Sequence, residues 1–207
     1  MATPKKPHKP TRQEQKDETR EKVRLAALEL FSDVGFDATT TKAVADRAGV
    51  AAGTVFVHAR DKVDLLCLVM HHELTEVVER AFSTLPRSGT LLEQLLHVFR
   101  AVFVAYAKRP SLAPAFIKNL IGADGPNGVA VSANTFDFLG RIAGLTIEAQ
   151  ARGEIAKDVP PMLFAQNVFA LYFLSLWSWV SGMTTVEMVI DPHLKSALEL
   201  LLRGLDR

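Results

Sequence analysis

Residues 40–62, TTKAVADRAGVAAGTVFVHARDK, constrain the fold of this chain more than any other stretch. Thr40 or Thr41 can cap a short helix with its side-chain oxygen, and Val44, Ala45 and Ala48 then share one face of that helix. Gly49 stands where the chain must turn sharply, and glycine accepts the left-handed backbone such a turn requires. A second short helix is expected over residues 51–58, and Asp61 can cap a long one after it. Two helices meeting at a tight turn need a small residue at their approach, a turn residue tolerant of positive φ, and an apolar plug behind it. Ala45, Gly49 and Val50 have those properties at the matching spacing.

The rest of the chain carries the same helical period. Val23, Ala26, Ala27, Leu30, Phe31 and Val34 form an apolar stripe for a helix from about residue 19, closed at Gly35. Leu65, Leu66, Val69, Leu74 and Val78 line the helix opened by Asp61. Thr90 and Glu93 form a capping-box signature for the next, which carries Leu91, Leu95, Phe99, Val102, Phe103 and Tyr106 and stops at Pro110. A short apolar segment runs to Ile121, and residues 122–128 read as a loop. Phe136, Leu139, Ile142, Ala143 and Ile147 mark a further helix up to Gly153. Pro160 and Pro161 open a strongly apolar helix, and Asp191 and Pro192 start the last one. No stretch alternates with turn signals at hairpin spacing, so the expected fold is all-α with about nine helices.

Charge is uneven along the chain. Residues 1–62 hold 12 lysines and arginines against 9 acids, and the remainder 12 against 14, so a net charge of +1 hides a basic end. Lys5, Lys6, Lys9 and Arg12 precede the first acid. Residues 1–17, with three prolines and little apolar content, are expected to be a basic arm without regular structure. The single Cys67 excludes an intrachain disulfide framework and fits a reducing compartment. The start of the chain lacks the apolar run of a secretion signal, which points to a cytoplasmic protein. No Walker loop, dinucleotide fingerprint, nucleophile elbow or HExxH motif occurs, so neither an enzyme nor a cofactor is expected. His71 and His72 do not converge as metal ligands, because adjacent helical residues point about 100° apart; they read as a solvated pair.

VADRAGV at 44–50 and GTVFVHARDK at 53–62, with LAALELFSDVGFDATT upstream, resemble the TetR family of bacterial transcriptional regulators. The strong likeness covers roughly residues 20–74. It implies a helix-turn-helix DNA-binding unit over 18–64 and a helical effector-binding and dimerisation unit over 65–207. The protein so implied is a ligand-responsive regulator, chiefly a repressor, acting in the bacterial cytoplasm at the nucleoid. It would bind a palindromic operator in double-stranded DNA as a homodimer, its two recognition helices about 34 Å apart. A small apolar effector would release it. The resemblance assigns phosphate contacts to Thr40, His58 and Lys62, with a helix cap the alternative for His58 and a solvated helix start that for Lys62. Lys42 could reach a phosphate or a guanine edge, and Ala52, Gly53, Thr54 and Phe56 would face the groove. Lys5, Lys6, Lys9 and Arg12 would enter an adjacent minor groove.

Two departures from the family pattern matter. Phe56 stands where tyrosine is usual, so its ring can pack on a thymine methyl but donates no hydrogen bond. Ala51 replaces the usual serine cap, at a cost of about 1 kcal/mol of helix stability. Recognition would then lean on apolar contacts and DNA shape. Effector contacts are expected from Phe99, Phe103, Tyr106, Phe116, Phe136, Leu139 and Trp177, with Asn119, Asn134 and Gln150 as polar anchors. Residues 159–186 contain no charge, which by hydropathy alone suits a membrane span. Gln166, Asn167 and three serines interrupt the run, and a core helix explains it better than a membrane. In the resemblance, this helix and the last one form the dimer interface. The alternatives are a regulator without an effector, a helical enzyme or a membrane-anchored protein.

Overall fold

The computed structural model describes residues 11–204, and every regular element among them is helical. In chain order these are α1 (Arg12–Asp33), α2 (Thr41–Ala48), α3 (Ala52–His58), α4 (Lys62–Ser83), α5 (Leu91–Ala107) and α6 (Leu112–Leu120). Then come α7 (Pro126–Arg152), α8 (Pro161–Val180), α9 (Val186–Met188) and α10 (Lys195–Arg203). Asp191 is non-helical (φ −136°, ψ 115°) and splits the C-terminal run, which the sequence pattern anticipates by starting its last helix there. Counted once, that run makes nine helices among the described residues.

Local chemistry explains most helix ends. The Thr40 side chain accepts from the Ala43 N–H at 3.1 Å, and that of Asp61 from the Asp64 N–H at 2.8 Å. Thr90 and Glu93 close the expected capping box. At Gly49 the backbone is left-handed (φ +67°), and the Val50 N–H returns to the Ala45 carbonyl at 3.0 Å. Any side chain there would strain the turn.

Three expectations are corrected. Helix α1 begins at Arg12, because Thr11 and Glu14 form a capping box, so residues 11–17 do not belong to an irregular arm. Val34, expected on the buried stripe, caps the end of α1 and is 56% exposed. The apolar segment before Ile121 is helix α6, and the presumed loop ends early because Pro126 starts α7.

Val23, Ala27 and Phe31 of α1 pack with Val44 and Ala45 of α2, Val55 of α3 and Leu65 and Leu66 of α4 into one end of the core. Helix α4 runs unbroken from this cluster to the far end of the molecule. There Phe82, Phe99, Phe138, Phe169 and Tyr172 form a network of stacked and edge-on rings. Helix α8 is the charge-free segment, and only its inner side is buried. Phe164, Ala165, Val168, Tyr172 and Leu176 face the core, whereas Leu163, Leu174 and Trp177 are about half exposed. A core helix was expected that the resemblance also puts against a second subunit, and within this one chain it is buried on one side only.

Candidate DNA interface and internal cavity

The outward side of α2 and α3 carries most of the residues expected to meet DNA. Thr40, Lys42, Ala52 and Gly53 are exposed and Thr54 is half-buried. Phe56 is 55% and Val57 65% exposed, while Val55 turns into the core. This face of α3 therefore presents methyl groups, one phenyl ring and a single hydroxyl. Ala51 makes no side-chain capping bond. Thr40 uses an oxygen lone pair on Ala43, which leaves its hydroxyl hydrogen available to a phosphate.

Lys62 has a second task. Its ammonium donates to the Phe36 and Asp37 carbonyls, both at 3.0 Å, and sits 4.5 Å from the centre of the Phe36 ring. It ties the loop between α1 and α2 to the start of α4 and keeps one N–H for an outside acceptor. His58 differs from both. Its side chain lies inside the junction, 8% exposed. Burial, with Arg20 and Lys16 nearby, holds its pKa below the usual histidine value. Its ring thus offers little surface to a phosphate. Arg12 is exposed at the first turn of α1. Lys5, Lys6 and Lys9 lie outside the described residues.

A buried polar junction joins α3, α4 and α7. Asp64, 2% exposed, accepts from the backbone N–H groups of Arg60 (2.9 Å), Asn127 (2.8 Å) and Gly128 (3.2 Å). The Asn127 amide donates to the Asp64 carboxylate at 3.0 Å and to the His58 carbonyl at 2.9 Å, and accepts from Arg20 at 2.9 Å. Gly125 is required beside it, since a Cβ there would lie 2.4 Å from Asp64. Arg60 pairs with Asp124 above the same turn. Sequence reading missed this cluster, because an Asp and an Asn separated by the whole of α5 and α6 share no local pattern.

Farther along α4 an internal cavity of about 170 Å³ opens between α4, α5, α6, α7 and α8. Of the effector residues expected from sequence, Tyr106 and Phe116 line it. Phe99 and Phe103 point instead into the ring network around Tyr172. Leu139 is core, whereas Phe136 and Trp177 face outward at 72% and 48% exposure. Asn119 bonds back to the Ala115 carbonyl and borders a separate polar depression beside Arg60 and Asp61. Gln150 holds the carbonyls of Ala156 and Val159 in the loop before α8. Asn134 is in the cavity wall and donates to the Thr75 hydroxyl at 2.7 Å.

His71 also lines the cavity, which corrects its reading as half of a solvated pair; burial, chiefly, lowers its pKa. His72 stays outside, 3.4 Å from Glu76. Among the described residues no group of three or more acids, histidines and cysteines gathers as a metal site would require. Glu79, Asp137 and Arg141 stand at the exposed edge of the cavity, with the Arg141 guanidinium 3.8 Å from the centre of the Phe82 ring.

The family model for bacterial regulatory proteins of the tetR family matches residues 24–67, which span α1 to the start of α4. The chain is a TetR-family regulator. As such it is a DNA-binding protein that acts on transcription, and its helix-turn-helix is α2 and α3. The likeness to relatives extends beyond that unit. The fatty acid metabolism regulator protein of Bacillus subtilis strain 168 is 24% identical over 87% of this chain and 92% of its own length. The transcriptional repressor KstR of Rhodococcus jostii RHA1 is 25% identical over 89% of this chain and 83% of its own. Among solved structures, the Thermus thermophilus TetR-family repressor FadR, in complex with lauroyl-CoA, superposes with a TM-score of 0.73. It is 26% identical, over 89% of this chain and 94% of that one.

Proposed function

We propose that this TetR-family regulator is a homodimeric repressor that leaves its operator when an amphipathic acyl compound fills the cavity beneath α7. One observation carries the reading. The cavity wall includes α4, the same helix whose start, at Lys62 and Asp64, is bonded to the DNA-reading unit. The apolar lining with a few polar groups at one edge suits a ligand with an apolar body and a polar head. Arg141, which here pairs with Glu79 and stacks on Phe82, is the cation at that edge for such a head to recruit. The lauroyl-CoA bound to the Thermus protein is a ligand of that chemistry. Release requires that the effector favour one arrangement of the dimer over another.

Residues 18–64 then read DNA, and residues 65–207 bind the effector and the partner. Thr40 and Lys62 would clamp phosphates, with Lys42 beside them. Ala52, Gly53, Thr54 and Phe56 would lie in the major groove, and the basic residues of the N-terminus in a minor groove. Val57 joins this set on its exposure alone.

For the dimer, exposed residues on two helices repeat with alternating steps of four and three. On α8 they are Leu163, Asn167, Ala170, Leu174 and Trp177; on α7 Val129, Ala133, Phe136 and Gly140 keep the same steps and Ile147 follows one heptad after Gly140, although the position between them, Ala143, is buried. That spacing is the seam of a left-handed helix bundle. We therefore favour α7 and α8 as the partner surface. This keeps α8 from the expected pair and prefers α7 to the last helix, where Leu194 and Leu198 turn inward although Leu200 is exposed. It also gives the exposed half of α8 a protein partner, where hydropathy alone suggests a membrane.

The test is fluorescence anisotropy with the DNA upstream of the protein's own gene, with and without lauroyl-CoA. Saturable binding at 150 mM salt, weakened at least tenfold by the thioester, supports the reading. DNA binding that ignores an acyl-CoA shown to bind by calorimetry would favour a regulator without an effector response.

A further inference from the structure

The cavity has polar groups at its edge, but also at its inner end. Tyr106 and Tyr172 both line it and are 4% and 6% exposed. Their hydroxyls interact with each other, and burial raises the pKa of both well above that of a free phenol. Neither bonds to another group among the described residues. A phenol has one hydrogen to donate, so even a pair bonded together keeps one of its two. The second O–H is left to the cavity, whose lining also includes Val102, Phe116, Ile117 and Leu176. A donor without an acceptor is unfavourable once water is excluded from it, and a saturated hydrocarbon tail pressed against it leaves it so. An oxygen on the ligand removes the deficit.

The size of the space narrows the ligand further. The space within the walls, about 170 Å³, is close to the roughly 150 Å³ of a protein cavity that holds a single benzene ring, and because the outer side is open it bounds the buried end of a ligand only. Six aromatic side chains, Tyr106, Phe116, Phe138, Phe169, Tyr172 and Phe173, surround it. Such walls suit a ring or a short chain better than a long flexible one.

We propose that the effector is a compact acyl compound whose buried end carries a hydrogen-bond-accepting oxygen, selected by the Tyr106 and Tyr172 hydroxyls. This rests on the reading of the cavity as an acyl-effector site and adds a chemical distinction to it. The head group lies toward Arg141 and the second oxygen toward the phenols.

The experiment is calorimetric titration of the full-length protein with matched thioesters. The pairs are phenylacetyl-CoA with (4-hydroxyphenyl)acetyl-CoA, and hexanoyl-CoA with 6-hydroxyhexanoyl-CoA; lauroyl-CoA is the long saturated reference. In at least one pair the oxygenated member is expected to bind about tenfold tighter, the yield of one neutral hydrogen bond made to a donor that otherwise lacks one. Tyr106→Phe and Tyr172→Phe together should bring that ratio close to one. Retained helical circular dichroism and DNA binding in the double variant show that the change is local. Equal or tighter binding of the plain member in both pairs overturns the proposal and leaves the acyl reading standing. So does binding of lauroyl-CoA when no member of either pair binds. Failure of all five compounds to bind overturns the acyl reading and this proposal with it.

Discussion

Asp64→Ala should be among the most damaging single changes in the chain, and the hydrogen bonds show by how much. The carboxylate accepts from three backbone N–H groups and the Asn127 amide, at 2.8 to 3.2 Å, in a site shielded from water. Truncation leaves those donors facing a void too small for water to replace every bond. Bonds to a charged acceptor contribute about 1.5–3 kcal/mol each, but four bonds on one group do not add. A loss of about 3–5 kcal/mol is the expected total, in line with breaking other buried charged sites. For a chain of this length each kcal/mol lowers Tm by about 2–4 °C, so the fall should be roughly 6–20 °C. Asn127→Ala should lose about 1–3 kcal/mol, since it strands the His58 carbonyl while the Asn127 backbone N–H stays bonded. The assay is thermal and urea unfolding followed by circular dichroism at matched protein concentration, because the proposed dimer would make stability concentration-dependent. The double variant should cost less than the sum of the two single losses. A Tm within 2 °C of the parent for Asp64→Ala, or strict additivity, would refute the account of Asp64 and Asn127 as one unit.

Other expectations concern single groups. Lys62→Ala should weaken binding to all DNA sequences alike and lower the slope of log K against log salt by about one, measured by anisotropy between 50 and 200 mM salt; an unchanged slope would exclude the phosphate contact. His58 and His71 have folded pKa values held below 6.5, chiefly by burial. The folded state therefore binds fewer protons, and stability should be full above about pH 6.5 and decline as pH falls from there toward the folded values. Urea midpoints at pH 7.5 and 5.5 measure this, and His58→Gln should flatten the decline. Cys67 is buried and its thiol is pushed up to about 11, so iodoacetamide at pH 8 should label it only after unfolding.

The parts of the fold set by neighbouring residues were readable from sequence. Thr40, Asp61, Thr90 and Gly49 act within three or four residues of themselves, and all four do what their types imply. Thr11 and Glu14 obey the same rule, but a basic, proline-rich setting masked it. Side-chain direction within a broad apolar face was not readable. Helix α5 offers Phe99, Val102, Phe103 and Tyr106 almost side by side, and only the positions of α7 and α8 decide that Val102 and Tyr106 meet the cavity. Helix α7 shows the same ambiguity: Leu139 faces the core and Phe136 the outside, yet both are simply apolar in sequence. His71 and His72 have identical side chains with opposite surroundings.

The unbroken course of α4 sets a mechanical scale. Its 22 residues span about 33 Å at 1.5 Å per residue, with Lys62 and Asp64 at one end and Thr75 and Glu79, beside the cavity, about three-fifths and four-fifths of the way along. A tilt of about 5° pivoting near its far end would carry the Lys62 end roughly 3 Å sideways. In a two-fold dimer both reading heads would be displaced, by a distance close to the rise of one base pair. A rigid rod of this length thus makes angstrom-scale expansion of the cavity sufficient to spoil the register of two helices with one turn of DNA.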